Sequence, residues 1–223
     1  MTGLGRDFPP IDVGEWPATG PWELPDQPKR TFKSVFKAVN EYPLTIVPYE
    51  YPIYSNTGFD LLGLANVEAN KLASSDPDSE PQSHKELLKR DIFEPLGMTS
   101  SFFRLPEDAL LREHMAVPAN TSEWADISLG DVNDAAGGQF SSLRDLGKLM
   151  QTLLSATARG GVIPARVVRE WLRPLHVWGS TTHQVGVPWE IMDVGPDLRA
   201  YTKGKSPVYL DCLDIHTQTF HFL

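Results

Sequence analysis

The sequence predicts a mixed α/β fold in which the helices form one group and the strands another. Two observations indicate this: residues 54–175 contain the helical patterns, and residues 176–223 contain short strand-like runs separated by turns. A third is that strands and helices do not alternate along the chain, as they would in a doubly wound parallel sheet. We therefore expect a helical subdomain beside a sheet.

Composition limits the class of protein before any motif is considered. The chain has 223 residues, of which 41% are hydrophobic and 22% are charged, so it can bury a core and is not globally disordered. Its net charge of −9 excludes nucleic acid as the expected partner. A single cysteine, Cys212, cannot form an internal disulfide. No apolar run suits a signal peptide or a membrane span, which predicts a cytoplasmic protein without a membrane partner.

Residues 1–53 are predicted to be a proline-rich connection. Of the 19 prolines, nine lie in the first 52 residues: Pro9, Pro10, Pro17, Pro21, Pro25, Pro28, Pro43, Pro48 and Pro52. Proline removes a backbone donor and breaks helices and central strands. Within this region only Phe32–Tyr42 has helical spacing of apolar residues, and Pro43 should end that helix.

The first part of the predicted helical region contains two capped helices. Thr57 and Asp60 form a capping-box pattern at the start of the first. The polar stretch 74–81 should be an exposed, mobile loop. Ser83 and Glu86 are predicted to cap a second helix over 84–93, which Pro95 and Gly97 should end.

The second part begins after a predicted loop over about 100–130. A helix should start at Ser142, with Leu146, Leu149, Met150, Leu153 and Leu154 on one apolar stripe. Pro164 is typical of a helix start, and the apolar residues that follow it include Val167 and Val168.

Two patterns in the C-terminal region suggest binding sites that the spacing does not support. Gly204-Lys205-Ser206 looks like the end of a phosphate-binding loop, but position 199 is Arg where that loop needs Gly. Cys212, His216 and His221 match no common zinc spacing. We therefore expect neither a cofactor nor a metal.

Tyr54 and Asn56 are the candidate chemical residues. They lie two positions apart in an extended turn before a helix, so they can point to the same side. A phenol becomes a proton carrier when nearby cations lower its pKa from about 10, and an amide can bind a substrate carbonyl. On this evidence alone, a polar helix start is the favoured explanation of the pair.

Four segments together resemble the class C β-lactamase-like serine hydrolases, a family that includes penicillin-binding proteins, DD-peptidases and esterases. The segment 54–65 (YSNTGFDLLGLA) resembles the family's second motif region, and 1–4 (MTGL) looks like the end of its "SHxSGL" turn. The segment 92–101 (IFEPLGMTSS) is similar to "IFxPLGMxxT", and 136–146 (AGGQFSSLRDL) is similar to "AGGLxSTxxDLxxF". The four occur in the family's order.

The resemblance implies a β-lactamase/transpeptidase-like fold, with a helical subdomain packed on an antiparallel sheet. It also implies an acyl-enzyme formed on the Ser of a Ser-x-x-Lys motif, with the Tyr of Tyr-x-Asn as proton shuttle. In these terms Tyr54 and Asn56 are catalytic residues. Gly137 and Gly138 lie in or beside the substrate-binding site, and turn roles beside it are favoured over direct contacts.

The literal Ser-x-x-Lys, Ser34–Lys37, does not fit this scheme. Ser34 lies only twenty residues before Tyr54 and after the 1–4 segment, whereas the family's nucleophile precedes both. Ser34 is therefore interpreted as an N-cap or first-turn residue. The third family motif is represented by Tyr201-Thr202-Lys203, which makes Lys203 a candidate catalytic residue. Lys205 stands where the family has Gly.

The chain is accordingly predicted to be a single, partial β-lactamase-related domain over 1–223, with a strand-like remnant and a divergent tail after 175. Three functions stay open: an impaired or inactive family member, an active hydrolase or acyltransferase, and a non-catalytic interaction protein. The active form would take an ester, lactone or amide, such as a secondary metabolite. An incomplete sheet would expose edges and so favour self-association.

Overall fold

The computed structural model describes residues 2–6, 31–116, 131–154, 162–177, 183–195 and 198–202. The α-helices of this part of the chain are α1 (Phe32–Glu41), α2 (Asn56–Ala73), α3 (His84–Leu88), α4 (Glu94–Leu96), α5 (Ala109–Glu113), α6 (Asp134–Gly137), α7 (Leu143–Leu154) and α8 (Ala165–Trp171). The strands are β1 (His176–Val177), β2 (His183–Val185), β3 (Glu190–Gly195) and β4 (Leu198–Thr202). The predicted separation of helices from strands is confirmed.

Helix α1 begins where the sequence predicts it. Thr31 is the N-cap: its Oγ1 accepts the Ser34 N–H at 3.1 Å, and the Ser34 Oγ accepts the Thr31 N–H at 2.9 Å. Such a reciprocal cap satisfies two backbone donors that a helix start leaves without partners. Val35 and Ala38 are buried on the apolar face. The interpretation of Ser34 as a first-turn residue is confirmed.

Helix α2 starts two residues earlier than predicted. Its N-cap is Ser55, whose Oγ accepts the Gly58 N–H at 2.9 Å. The expected cap residues Thr57 and Asp60 are instead buried, at 0% and 1% exposure. The capping-box pattern was therefore misleading, because the helix turns these two polar side chains into the interior.

The stretch predicted as a mobile loop is tied back to its neighbours. Pro77–Ser79 form a 3-10 turn, and the Glu80 carboxylate accepts a hydrogen bond from Asn70 at 2.7 Å and pairs with Arg90. These contacts join the loop to α2 and to the helix that follows. The sequence suggested mobility because the stretch is rich in polar residues and proline, but here Glu80 is bonded to Asn70 and Arg90.

The second capped helix is longer and less regular than predicted. Ser83 is the N-cap of α3, as expected, and a π-helical turn over Lys89–Phe93 connects α3 to α4. Pro95 does not end the helix, because it lies at the start of α4, where proline is tolerated. Gly97 does end it, with φ of 61°.

The long loop predicted over about 100–130 contains α5, so that prediction is wrong for Ala109–Glu113. Residues 117–130 lie outside the described residues.

Helix α7 follows the prediction, since the Ser142 Oγ accepts the Asp145 N–H at 3.2 Å. Pro164 is the N-cap of α8, as expected. Of its two valines, Val168 is buried, whereas Val167 is 41% exposed.

The four strands form an antiparallel sheet in the order β1-β2-β3-β4. Glu190 on β3 is the register partner of Val185 on β2 and of Thr202 on β4. Ile191, the next residue, is buried at 2% exposure. The alternation along β3 therefore turns Ile191 and Glu190 to opposite faces of the sheet.

The described residues fall into two compact units. The helical unit lies within Leu4–Pro43 and Ser55–Leu149, and the sheet unit lies within Met1–Gly3, Leu44–Tyr54 and Met150–Leu223. The helical unit has two buried apolar clusters, one around Leu4 and Ala38 and one formed by Phe93, Met98 and Phe103. Among the described helices, none combines the length and the apolar character that crossing a membrane requires.

Candidate functional site

The N-terminal end of α2 is held by the short segment 4–6. The Ser55 hydroxyl donates to the Gly5 carbonyl at 2.8 Å while its oxygen also caps the helix. The Arg6 carbonyl accepts the N–H of Asn56 at 2.8 Å and that of Thr57 at 3.3 Å. These bonds satisfy helix-start donors and fix the backbone of Asn56. These contacts involve the family-like segment 54–65. The family-like segment 1–4 directly precedes Gly5 in the chain.

The two predicted catalytic residues flank the cap residue Ser55. Tyr54 lies immediately before it and is 50% exposed. Asn56 is the first residue of α2 and is partly exposed. The remaining predicted catalytic residue, Lys203, lies outside the described residues. The catalytic roles of all three stay predictions.

Gly137 and Gly138 lie at the end of α6, and their environments differ. Gly137 is exposed and Gly138 is buried. The Gly138 N–H donates to the carbonyls of Asn133, at 3.1 Å, and Asp134, at 3.3 Å. A Cβ at position 138 would lie 2.7 Å from the Asp134 Oδ1. Gly138 therefore has a packing reason to be glycine, and the substrate-binding role of both residues stays a prediction.

The other two family-like segments are joined to each other. Phe102 and Phe140 form an antiparallel bridge, with N–H···O distances of 3.0 and 2.7 Å, and their rings stack with centroids 5.7 Å apart. The Ser101 and Ser141 hydroxyls lie 2.8 Å apart. The small polar residues of these motifs thus connect two chain segments about forty positions apart, a structural function that the sequence did not reveal.

Asp145 is the central residue of this connection. It is 1% exposed, and its Oδ2 accepts the Ser100 N–H at 2.7 Å and the Ser101 hydroxyl at 3.0 Å. Its Oδ1 accepts from Lys148 at 3.1 Å, and Lys148 also donates to the Gly97 carbonyl. Burial raises the pKa of Asp145, but these hydrogen bonds outweigh it and hold the pKa below its usual value.

A second buried carboxylate, Asp134, organises the start of α6. It is 4% exposed and accepts from Arg104 at 2.9 Å, while Arg104 also contacts Asp131. Lys85 donates to the Asp131 Oδ1 at 3.0 Å. Burial raises the pKa of Asp134 and outweighs its pairing with Arg104, whereas the hydrogen bond from Lys85 helps to lower the pKa of Asp131. No sequence pattern identified Arg104 as the partner.

In the sheet unit, the chain before Tyr54 contains a turn that requires glycine. Gly3 has φ of 78°, and its carbonyl accepts the Thr45 N–H at 2.9 Å. A Cβ on Gly3 would lie 2.4 Å from the Ile46 carbonyl oxygen. Tyr49 also has a left-handed backbone, with φ of 67°, which is uncommon for a residue with a side chain.

Several apolar side chains in the segment 44–54 are exposed. They are Leu44, Val47, Tyr49, Tyr51 and Tyr54. The Tyr51 ring contacts the ring of His176 on β1, with centroids 5.7 Å apart. These five side chains leave apolar surface of the segment exposed to solvent.

Among the described residues of the sheet unit, Glu190 is the one whose pKa departs most from its ordinary value. Half-buried on β3, it has a pKa raised by burial to about 7. Sequence patterns did not single it out. An isolated Glu in a strand carries no signal until its burial is known.

The Ser34 hydroxyl is engaged by the backbone at the start of α1. Its hydroxyl donates to the Thr31 carbonyl at 2.8 Å and accepts the Thr31 N–H at 2.9 Å. The Lys37 side chain is 72% exposed and its ammonium lies 3.9 Å from Glu41. Neither group is arranged to activate the other.

Among the described residues, no three His, Cys, Asp or Glu side chains are grouped closely enough to hold a metal ion. Cys212, His216 and His221 lie outside those residues.

The curated relatives that this chain matches are all described as β-lactamase-like proteins. The chain is 42% identical over 114 residues to "Beta-lactamase-like protein str6" of Strobilurus tenacellus, an alignment covering 51% of this chain and 37% of the relative. It is 25% identical over 209 residues to "Beta-lactamase-like protein" of Arthroderma benhamiae, covering 94% of this chain and 30% of the relative. The chain thus spans about a third of the length of these relatives.

Solved structures show the same fold. D-amino acid amidase from Ochrobactrum anthropi, solved with D-phenylalanine, superposes with a TM-score of 0.56 at 17% identity, covering 90% of this chain and 54% of the amidase. A class C β-lactamase mutant superposes with a TM-score of 0.60 at 16% identity, covering 87% of this chain and 46% of the lactamase. At such low identity, these likenesses concern the fold alone.

The family profile of β-lactamase matches residues 12–205, most of the chain. The match includes the Tyr54-Ser55-Asn56 segment and both of the segments that Asp145 connects. This chain therefore belongs to the β-lactamase family.

Proposed function

We propose that this chain forms one wall of the reaction site of a serine hydrolase, in which Tyr54 transfers a proton and Asn56 holds the acyl group of the substrate. The observation that supports this is the arrangement at the start of α2. Ser55 caps the helix with the 4–6 segment bound to it, while Tyr54 directly before it is 50% exposed. An accessible phenol next to a hydrogen-bonded helix start suits a proton-transfer residue.

The proposed reaction is acyl transfer from an ester, lactone or amide. A serine oxygen attacks the carbonyl carbon, its proton passes by way of the phenol to the leaving group, and the bond to the leaving group breaks. Water then attacks the acyl-serine and releases the acid. Lys203 would supply a positive charge to the site, and Gly137 and Gly138 a turn beside it.

The nucleophile of this reaction is not Ser34. Its hydroxyl is used in both directions by the backbone of Thr31, so attack on a substrate would break the cap of α1. We therefore expect the printed chain to be impaired or inactive as an acyl-transfer enzyme.

To test this expectation, the purified chain is incubated with nitrocefin and with p-nitrophenyl esters, and its intact mass is then measured. We expect neither a burst of product nor an acyl adduct. An adduct that disappears in Ser34→Ala, but persists in the control Ser79→Ala, would contradict the proposal. Ser79 is an exposed serine of the 3-10 turn and serves as the matched control.

The roles of Tyr54 and Asn56 require an active product. Sequencing the transcript around the Met1 codon shows whether an in-frame Ser-x-x-Lys precedes it, and any such longer product is then assayed. Tyr54→Phe should lower its kcat by about 10² to 10⁴, the range of a general acid–base residue. Tyr49→Phe is the control, since Tyr49 is also an exposed tyrosine of the same segment. Full activity of Tyr54→Phe would refute the proton-transfer role.

A second candidate function is a non-catalytic interaction protein. The exposed apolar side chains of segment 44–54 favour it, because such groups are typical of protein interfaces. Size-exclusion chromatography with light scattering gives the mass in solution. A monomer at high concentration would argue against self-association through this surface.

A further inference from the structure

The helical unit contains a cavity of about 300 Å³ for which the proposed acyl transfer has no use. Its walls come from α2, from the start of α3 and from the segment 131–135. The volume lies at the lower end of the range of roughly 300 to 1,000 Å³ found for small-molecule sites. A compact ligand would therefore fill it.

The cavity combines an apolar wall with a buried carboxylate. Phe32, Leu64, Val67 and Val132 line it, and Val67 and Val132 are only 2% and 8% exposed. Asp60, one helical turn after Asn56 on α2, also lines it and is 1% exposed. A carboxylate in such surroundings interacts strongly with a cation, because little water screens the pair.

The other charged groups of the lining are used by the protein itself. Lys85 donates to Asp131 at 3.0 Å, and the Glu86 Oε2 accepts the Gln82 N–H at 2.8 Å at the start of α3. Asp60 makes contacts of its own, but a carboxylate offers about four acceptor positions, so it can accept a further N–H.

His84 also lines the cavity and adds no positive charge near neutral pH. Its ring contacts Phe103 edge-on at 5.8 Å, and burial lowers its pKa. Among the lining groups, the positive charge is that of Lys85, which is paired with Asp131.

We propose that this cavity binds a small primary amine with a compact apolar body, whose ammonium group donates to Asp60 and whose body packs against Val67 and Val132. The Phe32 ring adds an aromatic surface to the same site. The inference does not depend on the proposed acyl transfer, because binding is measured without turnover.

The first test uses the unmodified chain and an NMR titration of its backbone amides with benzylamine, with benzyl alcohol as the uncharged comparison. Benzylamine should shift the amide signals of Leu64, Val67 and Val132 and bind at least tenfold more tightly than benzyl alcohol. Equal affinity for the two compounds, or shifts confined to other regions, would overturn the proposal.

Two variants test the assigned contacts. Asp60→Asn keeps the side-chain shape and should weaken benzylamine at least tenfold, whereas the exposed control Asp78→Asn should leave the affinity unchanged. Leu64→Trp, at a partly exposed lining position, should fill the cavity and abolish binding. If Asp60→Asn does not fold, the Leu64→Trp result decides alone: retained benzylamine binding in that variant would contradict the site.

Discussion

Two regions of this molecule hold their polar residues in opposite ways. In the helical unit, the segments 97–104 and 134–148 are joined by the buried carboxylates of Asp134 and Asp145, which accept hydrogen bonds from both segments. In the sheet unit, the segment 44–54 leaves its tyrosines and several aliphatic side chains exposed. Family-like motifs lie in the first region and at the end of the second.

This difference separates motifs that maintain the fold from motifs available for chemistry. The Ser and Asp side chains of the motifs in the helical unit form hydrogen bonds with one another and with the backbone. Tyr54, by contrast, is half exposed. A shared motif therefore does not by itself identify a reaction site, and substitutions in the two regions should have different consequences.

The largest effect is expected for Asp145→Ala. The change leaves Lys148 without its buried partner and removes the acceptor of the Ser100 N–H and the Ser101 hydroxyl. We expect the free energy of unfolding to fall by about 3 kcal/mol. Urea denaturation followed by circular dichroism measures this free energy. Asp78→Ala, at an exposed position, is the control. A loss below about 0.5 kcal/mol would show that the helical unit does not depend on its buried carboxylates.

A somewhat smaller loss should follow Gly138→Ala. The new Cβ would lie 2.7 Å from the Asp134 Oδ1 and 2.8 Å from its Cα, so α6 must shift. We expect a loss of about 2 kcal/mol, in the range found for overpacked sites. Gly147→Ala is the matched control, because its Cβ meets nothing within 4 Å in the exposed part of α7. That change should stabilise the helix by up to about 1 kcal/mol. Equal effects of the two changes would remove the packing explanation for Gly138.

In the sheet unit, Glu190→Gln should make stability less dependent on pH. Because burial raises the folded-state pKa from 4.5 to about 7, the folded state holds the proton more tightly than the unfolded state. The stability contributed by this proton is fully present below pH 4.5 and is lost as the pH rises to about 7. Glu190→Gln should therefore flatten the stability profile between these values.

After allowance for the partial exposure of Glu190, the size of this effect is on the order of 1 kcal/mol. Thermal unfolding at pH 5 and pH 8 measures it, and Glu50→Gln, an exposed carboxylate of the same unit, is the control. An unchanged pH profile for Glu190→Gln would indicate that its carboxyl is well solvated.

The smallest effect is expected for Tyr49→Gly. Tyr49 is 79% exposed and has φ of 67°, a conformation that costs a residue with a Cβ about 1 kcal/mol or more. Glycine removes this cost but has more freedom in the unfolded chain, which leaves a net gain of about 0.5 kcal/mol. Tyr51→Gly is the comparison, since it loses the contact with His176 and should destabilise. A loss of stability in Tyr49→Gly would mean that this exposed side chain makes contacts worth more than the strain.

The elements with local signals could be predicted from the sequence. Helix α1 and the starts of α3, α7 and α8 followed from capping residues, proline positions and apolar spacing, which act within a few residues. At the start of α2, local reasoning chose Thr57 as the cap, whereas the N-cap is Ser55. The choice depends on the Gly5 carbonyl, which lies fifty positions away in the chain.

The sequence by itself determined the β-lactamase family, the grouping of helices apart from strands, and Tyr54 and Asn56 as candidates, because motif order and periodicity are properties of the chain. Tertiary structure alone decided that Asp145 and Asp134 are buried pairing partners and that Glu190 is half-buried with a raised pKa. Burial and hydrogen-bond partners arise from residues distant in the chain, and the charge state of a carboxyl depends on both. The cavity lined by Asp60 belongs to this second class, since its walls come together only when α2 packs beside α3 and the 131–135 segment.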